Sequence, residues 1–276
     1  NLKGIGHGIK ENMAETAEHN RLLEGKILEV LVDGRKASTN AYYVHVGDIA
    51  WWLFYNDQTP QAWKQSLCLW ESDGRTIGWS LLSEAFHSFD VFVHPQVRGT
   101  AREAKMLLWA EECLAARMRA KGRQAISMYW VAEDDDLRTR WLSLRGFEAG
   151  DYFMHAMTRE LDQPLPEPVL PEGYQVRGVA GRSEMRKRAA ASYAAFGSSR
   201  DFEAYWPRYA RFMHSPVYNP DLDIVAVAPD GQVAAFCIVW PDPVTGVGLF
   251  EPVGTHPDFQ RRGLGRAVVL EGLRRL

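Results

Sequence analysis

The residues best suited to chemistry form a short stretch, Gln260-Arg-Arg-Gly-Leu-Gly265, in which two glycines stand beside basic side chains. A strand is predicted before it and a helix after it, so the stretch lies where a helix begins. There the first backbone N–H groups have no partner within the helix, and the helix dipole presents its positive end. Glycines let a ligand approach the backbone closely. The pattern therefore favours a phosphate-binding loop over its alternative, an ordinary helix cap with solvated arginines.

Two ionisable side chains, Glu251 and His256, precede this loop and are the candidate catalytic residues. Glu251 lies on the predicted strand among apolar neighbours, where burial would raise the pKa of its carboxyl group and suit it to act as a general base. The alternative is a carboxylate on the solvent face of the strand or in a salt bridge. His256 is the second candidate base, but the matching His94 earlier in the chain favours a structural role at a strand end.

The elements that position this loop occur twice in the chain. Each copy has, in order, two strands joined by an Asp-Gly turn, a third strand, a His-Pro pair, a basic glycine-containing loop and a helix. Asp-Gly between apolar runs is a strong signal for a β-hairpin. We interpret the repeated order as a tandem duplication. The strands are predicted at 67–70, 76–82 and 88–93 and again at 223–228, 233–240 and 247–255, with helices at 101–121 and running to Leu276.

A proline-rich linker at 163–173 divides the chain, because its four prolines favour an extended backbone. It separates a domain at 1–162 from a second domain at 174–276. The fold class expected for both is α/β (α+β), a mixed central sheet flanked by helices. Residues 1–45 are an extension without an assigned function, with a predicted helix at 11–23 and a predicted strand at 26–32.

The two copies differ after their long helix. The first continues with a predicted strand at 124–131, a helix at 135–144 and a strand pair around 151–159. The second stops inside its helix, before any counterpart of these elements. We therefore expect the second domain to be incomplete at its C-terminus, by about 50 residues on comparison with the first copy.

Gln260, Gly263 and Gly265, with Pro257 ahead of them, resemble the Gln/Arg-x-x-Gly-x-Gly/Ala loop of the GNAT superfamily of acyl-CoA-dependent N-acetyltransferases. The resemblance covers residues 45–160 and 174–276, one copy each. It implies two tandem GNAT-like domains and transfer of an acyl group, expected to be acetyl from acetyl-CoA, to the amine of a small molecule. It also implies a Glu on the strand before the loop as the general base, the position that Glu251 fills.

The resemblance further implies a set of acetyl-CoA-binding residues in the second copy. The backbone at the end of the strand would pair with pantetheine as an added strand does, and the loop would bind the pyrophosphate. The residues concerned are Val253, Gly254 and Thr255 on the strand and Gln260, Arg261, Arg262, Gly263, Leu264, Gly265 and Arg266 in the loop.

The first copy departs from the family pattern at two points. Gln96-Val-Arg-Gly-Thr-Ala101 matches in letters, but Gln96 directly follows Pro95, so this loop is two residues shorter than the second. The family's general-acid Tyr stands four residues before a Gly-Phe pair, and the corresponding position here is Leu142. We expect a degenerate first domain that serves as a structural or substrate-cleft half. The general acid of the second domain would lie beyond Leu276.

Composition excludes several other functions. The net charge of −3 argues against a protein that holds nucleic acid through phosphates, and no apolar run approaches the ~20 residues of a membrane span. Three scattered cysteines and eight scattered histidines predict no metal site and favour a reducing, cytoplasmic compartment. The sequence is compatible with a homo-oligomer. The alternative function is a non-catalytic acyl-CoA-binding or protein-interaction module built on duplicated GNAT folds.

Overall fold

The computed structural model describes residues 13–38, 42–55, 65–213, 215 and 217–276. The chain divides into two compact units, one made of residues 1–44 and 58–156 and the other of residues 45–57 and 157–276. Each unit carries its own four-stranded sheet with helices, so the mixed α/β fold predicted from the sequence is confirmed. The units differ from the predicted domains in two respects: residues 45–57 belong to the second unit, and the second unit begins at residue 157, so it includes residues 157–162 and the predicted linker.

The helices, in chain order, are α1 (Met13–Ala37), α2 (Val46–Ala50), α3 (Ala101–Ala120), α4 (Asp136–Leu144), α5 (Met185–Ala195), α6 (Phe202–Phe212) and α7 (Leu264–Arg275). The strands of the first unit are β1 (Leu67–Ser72), β2 (Arg75–Ser83), β3 (Ser88–Val93) and β4 (Ser127–Met128). Those of the second unit are β5 (Gln175–Gly178), β6 (Asp223–Val227), β7 (Val233–Asp242) and β8 (Val247–Thr255). A short π-helix, Trp51–Tyr55, follows α2.

Both sheets keep their strands in chain order. Hairpins join β1 to β2 to β3 and β6 to β7 to β8, whereas helices lie between β3 and β4 and between β5 and β6. In the first sheet β1, β2 and β3 are antiparallel, and β4 joins β3 in parallel after the helical crossover through α3. In the second sheet every pairing is antiparallel. The strand β8 therefore stands at one edge of the second sheet, directly before the loop that leads to α7.

In each unit the helix that follows the glycine-containing loop covers a face of the sheet. In the first unit α3 begins at an N-cap, where the Thr100 hydroxyl accepts the Arg102 N–H, and it buries an apolar face that includes Met106, Ala110 and Leu114. In the second unit α7 buries Leu264 and Val268 against the β6 and β7 strands. The apolar residues recur at helical spacing, so burial of one face accounts for both helices.

Three predictions about secondary structure are wrong. Residues 26–32, predicted as a strand, lie inside α1, because Ile27, Val30 and Leu31 are buried at the three- and four-residue spacing of a helix. Residues 151–159 form no strand in the described structure. The strand predicted at 124–131 shrinks to β4, two residues long. Residues 11 and 12 of the predicted first helix lie outside the described residues.

Candidate functional site

The turn between β8 and α7 owes its shape to a side-chain cap at His256 and to left-handed backbone at Arg261 and Gly263. His256 opens a 3-10 turn, Pro257–Phe259, and its Nδ1 atom accepts the Asp258 N–H at 3.2 Å. Gly263 is the N-cap of α7 and has φ +77°, a left-handed conformation that costs other residues about 1–2 kcal/mol. The glycine predicted from the sequence to leave room for a ligand is thus also required by the backbone.

The second glycine of the loop allows a close approach of helix and strand. A Cβ atom added at Gly265 would lie 2.9 Å from the Thr255 Oγ1 atom, inside any ordinary contact distance. The first turn of α7 therefore lies directly beside the end of β8. Its N–H groups belong to the part of a helix that offers no carbonyl partner, and they are available to an anion.

A cleft of about 410 Å³ opens between these elements. The end of β8, the loop, the start of α7 and the last residues of α5 line it. The residues that contribute are Ala195, Phe196, Val253, Gly254, Thr255, Phe259, Gln260, Arg261, Gly263, Leu264, Gly265 and Arg266. Every residue predicted to bind acetyl-CoA is in this set except Arg262, whose guanidinium donates to the Tyr174 hydroxyl at 2.8 Å and the Asp258 carbonyl at 3.1 Å.

The strand wall of the cleft is an edge of the sheet. Within the described sheet β8 pairs with β7 and with no other strand, so no second strand covers its edge at Val253 and Gly254. An exposed strand edge beside an anion-binding helix start suits a ligand with an extended amide-bearing arm and a phosphate group. Gly254 belongs to this wall, and its lack of a side chain leaves room for the Phe236 ring beneath it.

Glu251 lies in the middle of β8, away from the loop. The Trp240 indole N–H donates to its carbonyl at 2.6 Å. Burial raises the pKa of the Glu251 carboxyl group, and a hydrogen bond with the Asp48 side chain opposes part of that rise. Sequence reasoning left open whether Glu251 would be buried or would lie on the solvent face of its strand. It missed Asp48, because nothing in the local pattern around residues 45–50 indicates that they pack with the second unit.

His256 has a local contact on each side. Besides accepting the Asp258 N–H, its ring meets the Phe259 ring edge-to-face with centroids 5.5 Å apart. His94 has the same role in the first unit, where its Nδ1 atom accepts the Gln96 N–H at 3.3 Å. The structure thus places His256 as the cap of a turn, next to the cleft.

The matching loop of the first unit is two residues shorter and shares the left-handed glycine, but its contacts differ. Gly99 has φ +73°, close to the value of Gly263, and its N–H donates to the Glu103 carboxylate at 2.6 Å. The same carboxylate accepts from Arg98 and Arg138 at 2.9 Å each. Glu103 is 5% exposed. The loop amide of the first unit is therefore already paired with an anion from its own helix.

The second unit carries no such carboxylate at the corresponding position. Counted from the left-handed glycine, the fourth residue is Glu103 in the first unit and Ala267 in the second. Ala267 is buried and has no group that could reach the loop as a carboxylate does. A single residue on the helix, outside the loop itself, thus distinguishes the two loops. In the first unit a carboxylate of the helix fills the loop, and in the second unit the loop lies beside an open cleft.

The family model for the acetyltransferase (GNAT) family matches residues 185–276, the stretch that contains β8, the loop and α7. A mycothiol acetyltransferase of Nocardiopsis dassonvillei is 30% identical over 228 residues, which cover 74% of this chain and 68% of that protein. The chain belongs to the GNAT family. A second relative of this GNAT protein, a mycothiol acetyltransferase of Nocardioides sp., is 28% identical over 201 residues, 67% of this chain and 65% of that one. The chain thus spans about two thirds of the length of both relatives.

Solved structures support the fold of this GNAT protein. A tandem GNAT protein from the clavulanic acid biosynthesis pathway matches all of this chain and 85% of that one, with a TM-score of 0.58 at 16% identity. A GCN5-related N-acetyltransferase from Sphaerobacter thermophilus matches 79% of this chain and 74% of that one, with a TM-score of 0.52 at 23% identity. At such identities the likeness concerns the fold.

Two further observations bear on other chemistry. Within the described ranges, no cluster of three His, Cys, Asp or Glu side chains has the arrangement needed to hold a metal ion. The helices of the same ranges include none that is both long and apolar enough to cross a membrane.

Proposed function

We propose that this GNAT acetyltransferase transfers acetyl from acetyl-CoA to the amine of a small molecule, with the reaction site in the second unit. The observation that carries the proposal is the cleft between the β8 edge and the first turn of α7. It combines a strand edge for an extended amide chain with a positively polarised helix start for a pyrophosphate, as acyl-CoA requires.

In this proposal the loop and the strand bind different parts of acetyl-CoA. The N–H groups at the start of α7, with Arg261 and Arg266 at the cleft, would hold the pyrophosphate. The backbone of Val253, Gly254 and Thr255 would pair with pantetheine and bring the thioester toward the middle of β8. The strand thereby directs the acyl group toward Glu251, the candidate base on the same strand.

The proposed reaction needs two proton movements. The amine nitrogen attacks the thioester carbonyl carbon, the C–S bond breaks, and the thiolate of CoA takes up a proton. Glu251 would accept the proton that the amine gives up, directly or through water, as the burial that raises the pKa of its carboxyl group favours. His256 is the second candidate, although the Asp258 N–H already engages its Nδ1 atom.

The first unit is proposed to be a degenerate copy that does not bind acyl-CoA. A pyrophosphate at its loop would have to displace the Glu103 carboxylate from the Gly99 N–H and from two arginines. Displacement would leave that carboxylate buried without partners, which is strongly unfavourable. The proposal therefore expects one acyl-CoA per chain.

Calorimetry with acetyl-CoA followed by an assay of thiol release tests the proposal. We expect one binding site per chain, a melting temperature that rises with acetyl-CoA concentration, and thiol release with at least one member of an amine panel. The relatives' name makes mycothiol precursors with a free amine the first members of that panel. No binding of acetyl-CoA or CoA would refute the proposal. Binding without thiol release across the panel would favour a non-catalytic acyl-CoA-binding module.

A further inference from the structure

An exposed aromatic ring lies in the cleft of the second unit. Phe196 lines the cleft and is 55% exposed. Of the described aromatic side chains of the second unit it alone is exposed, while the others are buried or half-buried. Val253, which is 39% exposed, lines the same cleft from β8. Single exposed apolar side chains are common on protein surfaces, but two in one cleft form an apolar surface that a ligand can cover.

The end of α5 fixes the position of Phe196. Its N–H donates to the Ser192 carbonyl at 3.1 Å, and the Gly197 N–H donates to the Ala194 carbonyl at 3.2 Å. Gly197 has φ +58°, the left-handed conformation that commonly follows the last turn of a helix. The exposed ring is therefore held by an ordered helix end beside the cleft.

The ring of Phe196 also packs close to the strand wall. It meets the Phe236 ring edge-to-face, with centroids 6.0 Å apart. Phe236 is fully buried, and its ring occupies the space that a side chain at Gly254 would need. Phe236 thus connects the two, and the exposed ring lies near the strand edge at which an extended arm would pair.

The cleft combines three kinds of surface. The start of α7 offers N–H donors, the edge of β8 offers backbone groups, and Phe196 with Val253 offers an apolar contact. Coenzyme A carries a pyrophosphate, two amides and, between them, an arm with two methyl groups and several methylenes. A helix start attracts any pyrophosphate, whichever group is attached to it. The apolar contact is the part of the cleft that a nucleotide without pantetheine does not use.

We infer that Phe196 is a binding residue for the pantetheine arm, which makes the cleft select coenzyme A and its thioesters over other compounds that contain a pyrophosphate. The inference rests on the proposed function, in which the strand edge and the start of α7 hold acetyl-CoA. It assigns the apolar part of that recognition to a residue outside both the strand and the loop.

Calorimetric titration of the full chain with two probes tests the inference. One probe is CoA, and the other is adenosine 3′-phosphate 5′-diphosphate, which is CoA without its pantetheine arm. Phe196→Ala should weaken CoA binding about tenfold, because the arm loses its contact with an apolar side chain. Phe196→Leu keeps an apolar side chain and should bind CoA within about threefold of the wild type. The affinity for the second probe should change less than about twofold in both variants.

Phe86 supplies a matched control in the first unit. It is 60% exposed, and its ring meets the Tyr129 ring with centroids 6.3 Å apart. Phe86→Ala removes a ring of similar exposure and should leave the affinity for both probes unchanged. Unchanged CoA affinity in Phe196→Ala would overturn the inference and leave the proposed function standing. Equal weakening of both probes would also overturn it, since the ring would then support the loop. A wild-type chain that binds no CoA would refute the proposed function itself.

A second measurement keeps the ring in place and decides the matter even where Phe196→Ala does not fold. Magnetisation transfer by NMR should connect the two methyl groups of bound CoA with aromatic ring protons of the wild-type chain, and Phe196→Leu should remove it. The half-buried Phe259 also lines the cleft, so the variant identifies the ring. No transfer in the wild type, or transfer that persists in Phe196→Leu, would overturn the inference.

Discussion

Substitution of Glu103 allows the stability and the acetyl-CoA binding of the two units to be tested independently. The Glu103 carboxylate holds the Gly99 N–H at 2.6 Å and the Arg98 and Arg138 guanidinium groups at 2.9 Å each. Glu103→Ala would leave these donors facing a space without an anion, and the loss of one partner from a buried ion pair costs about 3–5 kcal/mol. Two contacts survive, since Arg98 keeps its bond to Asp135 and Arg138 keeps the Val91 carbonyl. We therefore expect the lower end of that range, about 3 kcal/mol.

Differential scanning calorimetry measures this loss in the unit where it occurs. For a unit of this size about 3 kcal/mol corresponds to a fall of roughly 10 °C in melting temperature. Acetyl-CoA should raise the transition of the second unit alone, which identifies the transition of the first. Inorganic phosphate should restore part of the loss in Glu103→Ala, because it can occupy the place of the carboxylate. Glu112→Ala, on the exposed side of the same helix, is the control and should change stability by less than about 0.5 kcal/mol.

The same variant tests which unit binds acetyl-CoA. Glu103→Ala should leave the affinity of the chain for acetyl-CoA unchanged, because Glu103 and the proposed binding cleft belong to different units. A loss of stability no larger than that of Glu112→Ala would refute the energetic reasoning. A wild-type chain that binds two molecules of acetyl-CoA would refute the argument that the carboxylate fills the first loop.

Three further experiments, which use four substitutions, give separate outcomes. Gly263→Glu should abolish acetyl-CoA binding measured by calorimetry, because it strains a left-handed position and places a carboxylate near the pyrophosphate. Gly99→Glu imposes similar backbone strain in the first unit and should leave binding intact. Equal losses of binding in the two folded variants would indicate two working sites. Glu251→Gln should lower turnover by ~10²–10⁴-fold with nearly unchanged acetyl-CoA affinity, and near-normal turnover would mean that another group is the base. Burial raises the pKa of Asp90 to about 7, so the folded form binds more protons than the unfolded form between pH ~4 and ~7, and stability of the first unit falls as pH rises through that range. Asp90→Asn keeps an acceptor for the Trp130 N–H and should remove most of this dependence of stability on pH. The measurement is urea unfolding at about pH 5 and about pH 8. An unchanged pH dependence would contradict the raised pKa of Asp90.

Local signals were enough to predict the strands that frame both loops. The predicted ranges 88–93 and 247–255 coincide with β3 and β8. The Asp-Gly turn between β1 and β2 has both central residues at positive φ, 53° at Asp73 and 78° at Gly74, as a two-residue hairpin turn requires. Hairpins of this kind depend on neighbours in sequence, so the sequence alone can specify them.

Other elements depend on contacts that the local sequence does not encode. The run from Ile27 to Val32 has the composition of a strand, and packing of Ile27, Val30 and Leu31 on one side makes it part of α1. A capping box marks α2 as a helix start, but contacts with residues distant in sequence, such as the fit of Gly47 against Trp240, assign it to the second unit. The sequence could not bring Asp48 near Glu251 for the same reason, since the two residues lie far apart along the chain.

The two glycine loops show why a motif predicts a backbone more reliably than a ligand. Gln96-x-x-Gly99 and Gln260-x-x-Gly263 both place a left-handed glycine at the start of a helix, with φ +73° and φ +77°. The helix start attracts any anion, and a carboxylate one turn along the same helix is the nearest anion available. In the first unit Glu103 supplies that anion and pairs with the Gly99 N–H of the loop. In the second unit Ala267 supplies none, and the positive end of α7 remains beside an open cleft. The residue that decides between a structural cap and a ligand site thus lies on the helix, four positions after the glycine that the motif contains.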